Sequence, residues 1–129
     1  MPDPDLMVVD ASVLAALAFV EARAAEAADV LRGRRLFAPG LLWYEMSEVA
    51  RAKSASRPEE SAAILEQLSM ARRLPIVLRS PDWAHLTQLA LDASLTAYDA
   101  AYLSLAISLK APLATFDHQL KQAASVLQN

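Results

Sequence analysis

A chain of 129 residues has the volume for one domain with its own core, and 55% hydrophobic residues with only two glycines point to many helices joined by short loops. The absence of cysteine excludes disulfides, thiol catalysis and cysteine-based zinc sites, and fits a cytoplasmic protein. A net charge of −3 excludes a broadly basic nucleic-acid binder.

The start, MPDPDL, is acidic and proline-containing and lacks the pattern of a signal peptide. LMVVD at 6–10 is a short apolar run with paired valines that ends in an acid, which predicts a buried strand. Ser12 is expected to cap a helix running to about Phe19. The run ASVLAALAFV at 11–20 is about half the ~20 residues a membrane span needs, so no membrane is expected among the partners. A second helix over about 22–32 is stopped by Gly33. RLFAP at 35–39 predicts a second strand, stopped by Pro39. GLLWYEMSEVARAKS at 40–54 predicts an amphipathic helix, and RPEESAAILEQLSMARR at 57–73 another, with Pro58 in its first turn and acids behind it.

PIVL at 75–78 predicts a third strand. SPDWAHLTQLALDASL at 80–95 opens on a serine cap and predicts a helix. LTAYDAAYLSLA at 95–106 continues as the next one, to about Lys110. PLATF at 112–116 predicts a fourth strand, and a last helix runs from His118 to Leu127. Short apolar strands alternating with helices predict an α/β fold, a single domain over 1–129, with a central, mainly parallel sheet of four to five short strands and helices on both faces.

Such a fold gathers ligands at the carboxyl ends of its strands, where two strands deliver one acid each and two helices push one acid each toward the core. Asp10 closes the first strand and Asp117 follows the last. Glu45 lies in the apolar stripe of its helix with Leu41, Leu42, Val49 and Ala52, where leucine is usual. Asp99 is the only formal charge from Ala93 to Leu109, and it shares a helical face with Leu95, Tyr102, Leu103 and Ala106. Each acid has a plainer reading: Asp10 and Asp117 as helix caps, Glu45 paired with a buried arginine or less buried than its stripe implies, and Thr96 with Asp99 as a capping box. If the four converge, carboxylates ~5 Å apart repel by roughly 3 kcal/mol at an effective dielectric of 20, which raises pKa values or recruits a cation. Hard oxygen ligands without paired histidines suit Mg2+ or Mn2+, ions that polarise phosphate and activate water.

In order and spacing, VVDASVL, LLWYEMSEVARA, LTAYDAAYLSLA and LATFDHQL resemble the four acidic motifs of PIN domains, and among these the VapC-type toxins of toxin–antitoxin pairs. The resemblance implies a three-layer α/β/α fold and a Mg2+- or Mn2+-dependent ribonuclease cutting structured RNA. It also implies a homodimer, and a small antitoxin protein docking beside the site. It places Asp10, Glu45, Asp99 and Asp117 as catalytic and metal-site acids, with Ser12 and Thr115 as supporting polar residues. His118, in TFDHQL, is not required by the pattern.

Substrate RNA needs cations to offset these acids. The candidates are Arg32, Arg34 and Arg35 in RGRR, and Arg51 and Lys53; solvated helix ends are their plainer reading. His85 and His118 are expected to be single surface histidines, and Trp43 and Trp83 to be core or interface anchors. The apolar circumference of LLWYEM suggests a partner surface. Two rival functions remain: a catalytically silent PIN-like protein-binding module, and a phosphoryl-transfer domain with an aspartyl nucleophile. The latter usually carries a second acid two residues on, where Ser12 stands here.

Overall fold

A computed structural model describes residues 5–128; the opening MPDP and Asn129 lie outside them. Four strands form one sheet in the order β3-β2-β1-β4, with β1 at Leu6–Val9, β2 at Arg35–Ala38, β3 at Ile76–Leu78 and β4 at Leu113–Ala114. All three pairings are parallel, with Leu6 opposite Arg35, Val8 opposite Leu113, and Leu36 opposite Ile76. Seven helices flank it among the described residues: α1 Ala11–Ala18, α2 Ala24–Leu31, α3 Leu41–Ser56, α4 Ser61–Ala71, α5 Trp83–Ala93, α6 Ala97–Leu109 and α7 His118–Leu127.

Strand order fixes the layers. Chain steps from β1 to β2 to β3 move one way across the sheet, and the step to β4 reverses. Right-handed crossovers therefore put α1–α4 on one face and α5–α6 on the other. Two core clusters form: one spans the sheet and holds Val8, Leu14, Leu42 and Met46 with Tyr102 and Leu105 of α6, and the other, with Leu86, Leu103 and Leu120, joins α5, α6 and α7. Helix α6 is buried without interruption from Ala100 to Ala106, as expected of a helix apolar all round. The reversal between β1 and β4 opens a crevice at their carboxyl ends, where neighbouring chains part in opposite directions.

Several boundaries differ from the sequence expectations. Ser12 is not the cap of α1; Asp10 occupies that position and makes no side-chain cap bond. The 57–73 helix splits into a 3-10 turn, Pro58–Glu60, and α4. Helix α5 is capped not by Ser80 but by Asp82, whose carboxylate accepts from the His85 amide at 2.9 Å. It ends at Ser94, held in the left-handed region at φ 55°, a break that no glycine announces. Gly33 does end α2, at φ +73°, where a Cβ is costly.

His85 is half-buried rather than free at the surface, its Nδ1 2.7 Å from the hydroxyl of buried Ser104. Trp43 packs against the main core under the Arg72 guanidinium, whereas Trp83 is 70% exposed and takes no part in either core.

Candidate functional site

A cleft of about 630 Å³ opens at the crevice, lined by Asp10, Ser12, Glu45, Asp99 and Asp117 together with Glu21, Arg23, Glu48, Val49 and Phe116. All four sequence-nominated acids face this one hollow, delivered by four separate segments: the ends of β1 and β4 and the starts of α3 and α6.

Asp10 is the most deeply set, 6% exposed. Its amide donates to the Ala114 carbonyl at 3.0 Å, so the backbone is fixed by the β1–β4 pairing. Its Oδ2 accepts from the Ser12 hydroxyl at 2.8 Å and the Thr115 hydroxyl at 2.7 Å. Each hydroxyl in turn accepts a backbone N–H, from Phe116 onto Ser12 at 2.9 Å and from Asp117 onto Thr115 at 3.0 Å. Two short side chains thus tie the carboxylate to the loop that follows β4.

Glu45 is half-buried and sits beside, not within, the stripe that α3 buries, which runs through Leu42, Met46 and Ala50; Ala52 is exposed. No arginine meets it. The fully buried Tyr102 donates its hydroxyl to Glu45 Oε1 at 2.6 Å. Burial pushes the Glu45 carboxyl up; the tyrosine hydroxyl opposes this and the charges of Asp10 and Asp99 add to it. Burial, then the Glu45 carboxylate, push the Tyr102 phenol far above its ordinary value, so it stays a donor. Tyr102→Phe keeps the packing and removes one charge-assisted bond. It is expected to lower stability by about 1–2 kcal/mol in urea unfolding, because half-buried Glu45 recovers part of its hydration.

Asp99 combines two roles that had been alternatives. Thr96 Oγ1 accepts from the Asp99 amide at 3.1 Å, the backbone half of a capping box, while the Asp99 carboxylate lines the cleft. Its pKa is raised by burial first, then by the charges of Asp117 and Asp10; the Thr96 hydroxyl lowers it. Asp117 likewise caps α7, its Oδ1 accepting from the Leu120 amide at 2.8 Å.

Among the described residues no basic side chain is paired with Asp10, Glu45, Asp99 or Asp117. The donor set is hard oxygen throughout, and the neighbouring acids add to the upward pKa shifts of Glu45 and Asp99. In these side-chain conformations, no three acidic or histidine residues among those described stand close enough to hold one ion jointly. The set fits an octahedral ion that takes one or two carboxylates and keeps several waters.

The basic candidates are placed differently from the expectation. Arg32, Arg34 and Arg35 lie at the amino edge of the sheet, where Arg35 faces Leu6, opposite to the edge that carries the cleft. Arg51 is held on Glu48 at 2.6 Å and Lys53 on Glu21 at 2.6 Å, each on an acid that lines the cleft. The basic residue that does line it is Arg23, which sequence reading did not nominate. Nothing in its sequence context sets it apart: a turn through Val20, at φ 51°, brings it there. Tyr102, which the sequence places on the helical face of Asp99, is the hydrogen-bond partner of Glu45. Its spacing of three residues carried the sign of a partner in the same hollow.

The family model of the PIN domain matches residues 7–126. The crystal structure of PAE2754 from Pyrobaculum aerophilum superposes with a TM-score of 0.78 at 25% identity, covering 99% of this chain and 96% of that one. No curated protein matches the chain.

Proposed function

The chain belongs to the PIN domain family, in general a nuclease fold whose members usually use divalent metals, and from that premise we propose that it is a Mg2+- or Mn2+-dependent endoribonuclease, the toxin of a VapBC-type pair acting in the cytoplasm. One observation carries the reading: four acids remote in sequence, Asp10, Glu45, Asp99 and Asp117, face a single cleft at the reversal of the sheet.

In this reading Asp10, Glu45, Asp99 and Asp117 would hold one or two ions, each ion taking one or two carboxylates directly and reaching the rest through its waters. A divalent ion bound there supplies Lewis acidity toward the phosphate and lowers the pKa of attacking water. The protein's own contribution is positional. Ser12 and Thr115 fix one oxygen of Asp10 and leave the other for the ligand. Tyr102 does the same for Glu45, and the α7 amide does so for Asp117. The test is mapping of RNA ends after incubation with Mg2+ or Mn2+, alongside the metal-free protein. Wild-type protein that binds metal and cuts no RNA in a broad panel overturns the reading.

A catalytically silent PIN-like module that binds a protein partner is the second reading. It is favoured by the spacing of the acids, of which no three among the described residues converge on one point.

Two protein partners belong to the proposal, a cognate small antitoxin and a second copy of the chain. The dimer is supported by an uncharged groove of about 610 Å³ lined by Pro39, Leu41, Tyr44, Pro81, Trp83 and Tyr98, whose three aromatic side chains are largely exposed. Two negatively charged copies meet there without a like-charge penalty. Trp83→Glu is expected to convert the dimer to a folded monomer in analytical ultracentrifugation, with the helical circular dichroism retained and the melting temperature no longer dependent on protein concentration; a monomeric wild type at micromolar concentration removes this part. No helix among the described residues is long and apolar enough to cross a membrane.

A further inference from the structure

We propose that Arg23 and Phe116 form a platform on which one unpaired nucleobase stacks beside the scissile phosphate, making them specificity-determining residues; this rests on the RNA-cutting reading above. The Arg23 guanidinium carbon lies 3.7 Å from the centroid of the Phe116 ring. Its Nε and Nη2 both donate to the Glu26 carboxylate at 2.8 Å, which fixes the plane in rotation as well as in height. The side chain is nonetheless 47% exposed. With the ring beneath and Glu26 along one edge, the open part is the outer face of a flat, pre-ordered cation.

That geometry suits a base better than a phosphate. One of the guanidinium's two bidentate edges, Nε with Nη2, is taken by Glu26, which offsets its charge and weakens its grip on phosphate. The plane remains, and single-stranded bases stack on aromatic rings and guanidinium planes alike. Both residues line the same cleft as the four acids. The Phe116 amide donates to the Ser12 hydroxyl, which donates to Asp10 Oδ2. One hydroxyl therefore sets the distance between the platform and the deepest carboxylate, and so between a stacked base and the phosphate being cut.

The test uses oligoribonucleotides around the mapped cut site that carry either a normal base or an abasic residue at each flanking position. Wild type is expected to favour the base at one position by about tenfold, the effect of one stacking contact. Arg23→Ala is expected to bring that ratio close to one. Arg23→Lys is expected to do the same, because it keeps the charge and loses the plane. Independently of turnover, the fluorescence of 2-aminopurine at that position is expected to rise, as the base leaves its neighbours in the strand, on binding to Asp99→Asn protein and not to the Arg23→Ala, Asp99→Asn double variant. Retention of the base preference in Arg23→Lys overturns the platform, as does equal slowing of base and abasic substrates in Arg23→Ala. A wild type that cuts RNA with no base preference removes the platform alone; one that neither binds nor cuts RNA removes the ribonuclease reading with it.

Discussion

Asp99→Asn is expected to abolish metal-dependent RNA cutting while leaving the metal-free protein as stable as wild type, or more so. The catalytic loss follows from removing one charged ligand from a site whose ion contributes several kcal/mol to the transition state. Each 1.36 kcal/mol is a factor of ten, so the rate is expected to fall by about 10²- to 10³-fold or more. Stability moves the other way because the folded state disfavours the ionised carboxylate, through burial and through the charges of Asp117 and Asp10. Asparagine removes that repulsion at constant size. It also keeps the helix start, since Thr96 Oγ1 accepts from the backbone amide of residue 99. RNA-end mapping paired with thermal melting checks both halves. A variant that still cuts at the same positions takes Asp99 out of the site, and one that cuts normally but melts earlier assigns it to the capping box alone.

Millimolar Mg2+ or Mn2+ is expected to raise the melting temperature at pH 7.5 and to do much less near pH 5. At a hundredfold excess over the dissociation constant the gain is about 2.7 kcal/mol, roughly 10 °C for a domain of this size. The pH dependence follows from Glu45 and Asp99, whose folded-state pKa values are raised above their unfolded ones. A proton on either group therefore favours the folded state. Their contribution to metal-free stability is fully present below the unfolded values, near pH 4, and is lost as pH rises through the higher folded values. The metal-free protein is thus expected to gain stability from these groups on mild acidification, while protons displace the cation. Glu45→Gln combined with Asp99→Asn is expected to flatten both effects in scanning calorimetry across pH. No response of wild type to either metal at pH 7.5 ends the cation-site proposal.

Much of this was written in local pattern. The strands LMVV and RLFA announce themselves as short apolar runs, and the order of strands and helices was enough for a parallel α/β sheet with helices on both faces. An acid at a strand end, or alone on an apolar helix, signals its own cost, which is why Asp10, Glu45, Asp99 and Asp117 were legible as candidates. Geometry between segments was not. Ser12 looks like a cap and instead bridges Asp10 to Phe116, 104 residues away, a partner no local window contains. The stop at Ser94 depends on a left-handed residue without glycine. The position of RGRR could have been deduced, because a cluster that precedes a parallel strand lies at the edge opposite the carboxyl ends. Composition drew attention to the charges and chain direction decided where they went.

The bridges from Asp10 to Thr115, and through Ser12 to Phe116, also order the site in time. Strand β4 contributes only two paired residues, and the loop that locks Asp10 comes directly after it. A growing polypeptide has translated three of the four acids long before the hydroxyl of Thr115 exists. The first carboxylate therefore lacks its final anchorage until the residue 105 positions further on has been made, and a chain stopped before residue 112 carries three of the four acids without the assembled centre.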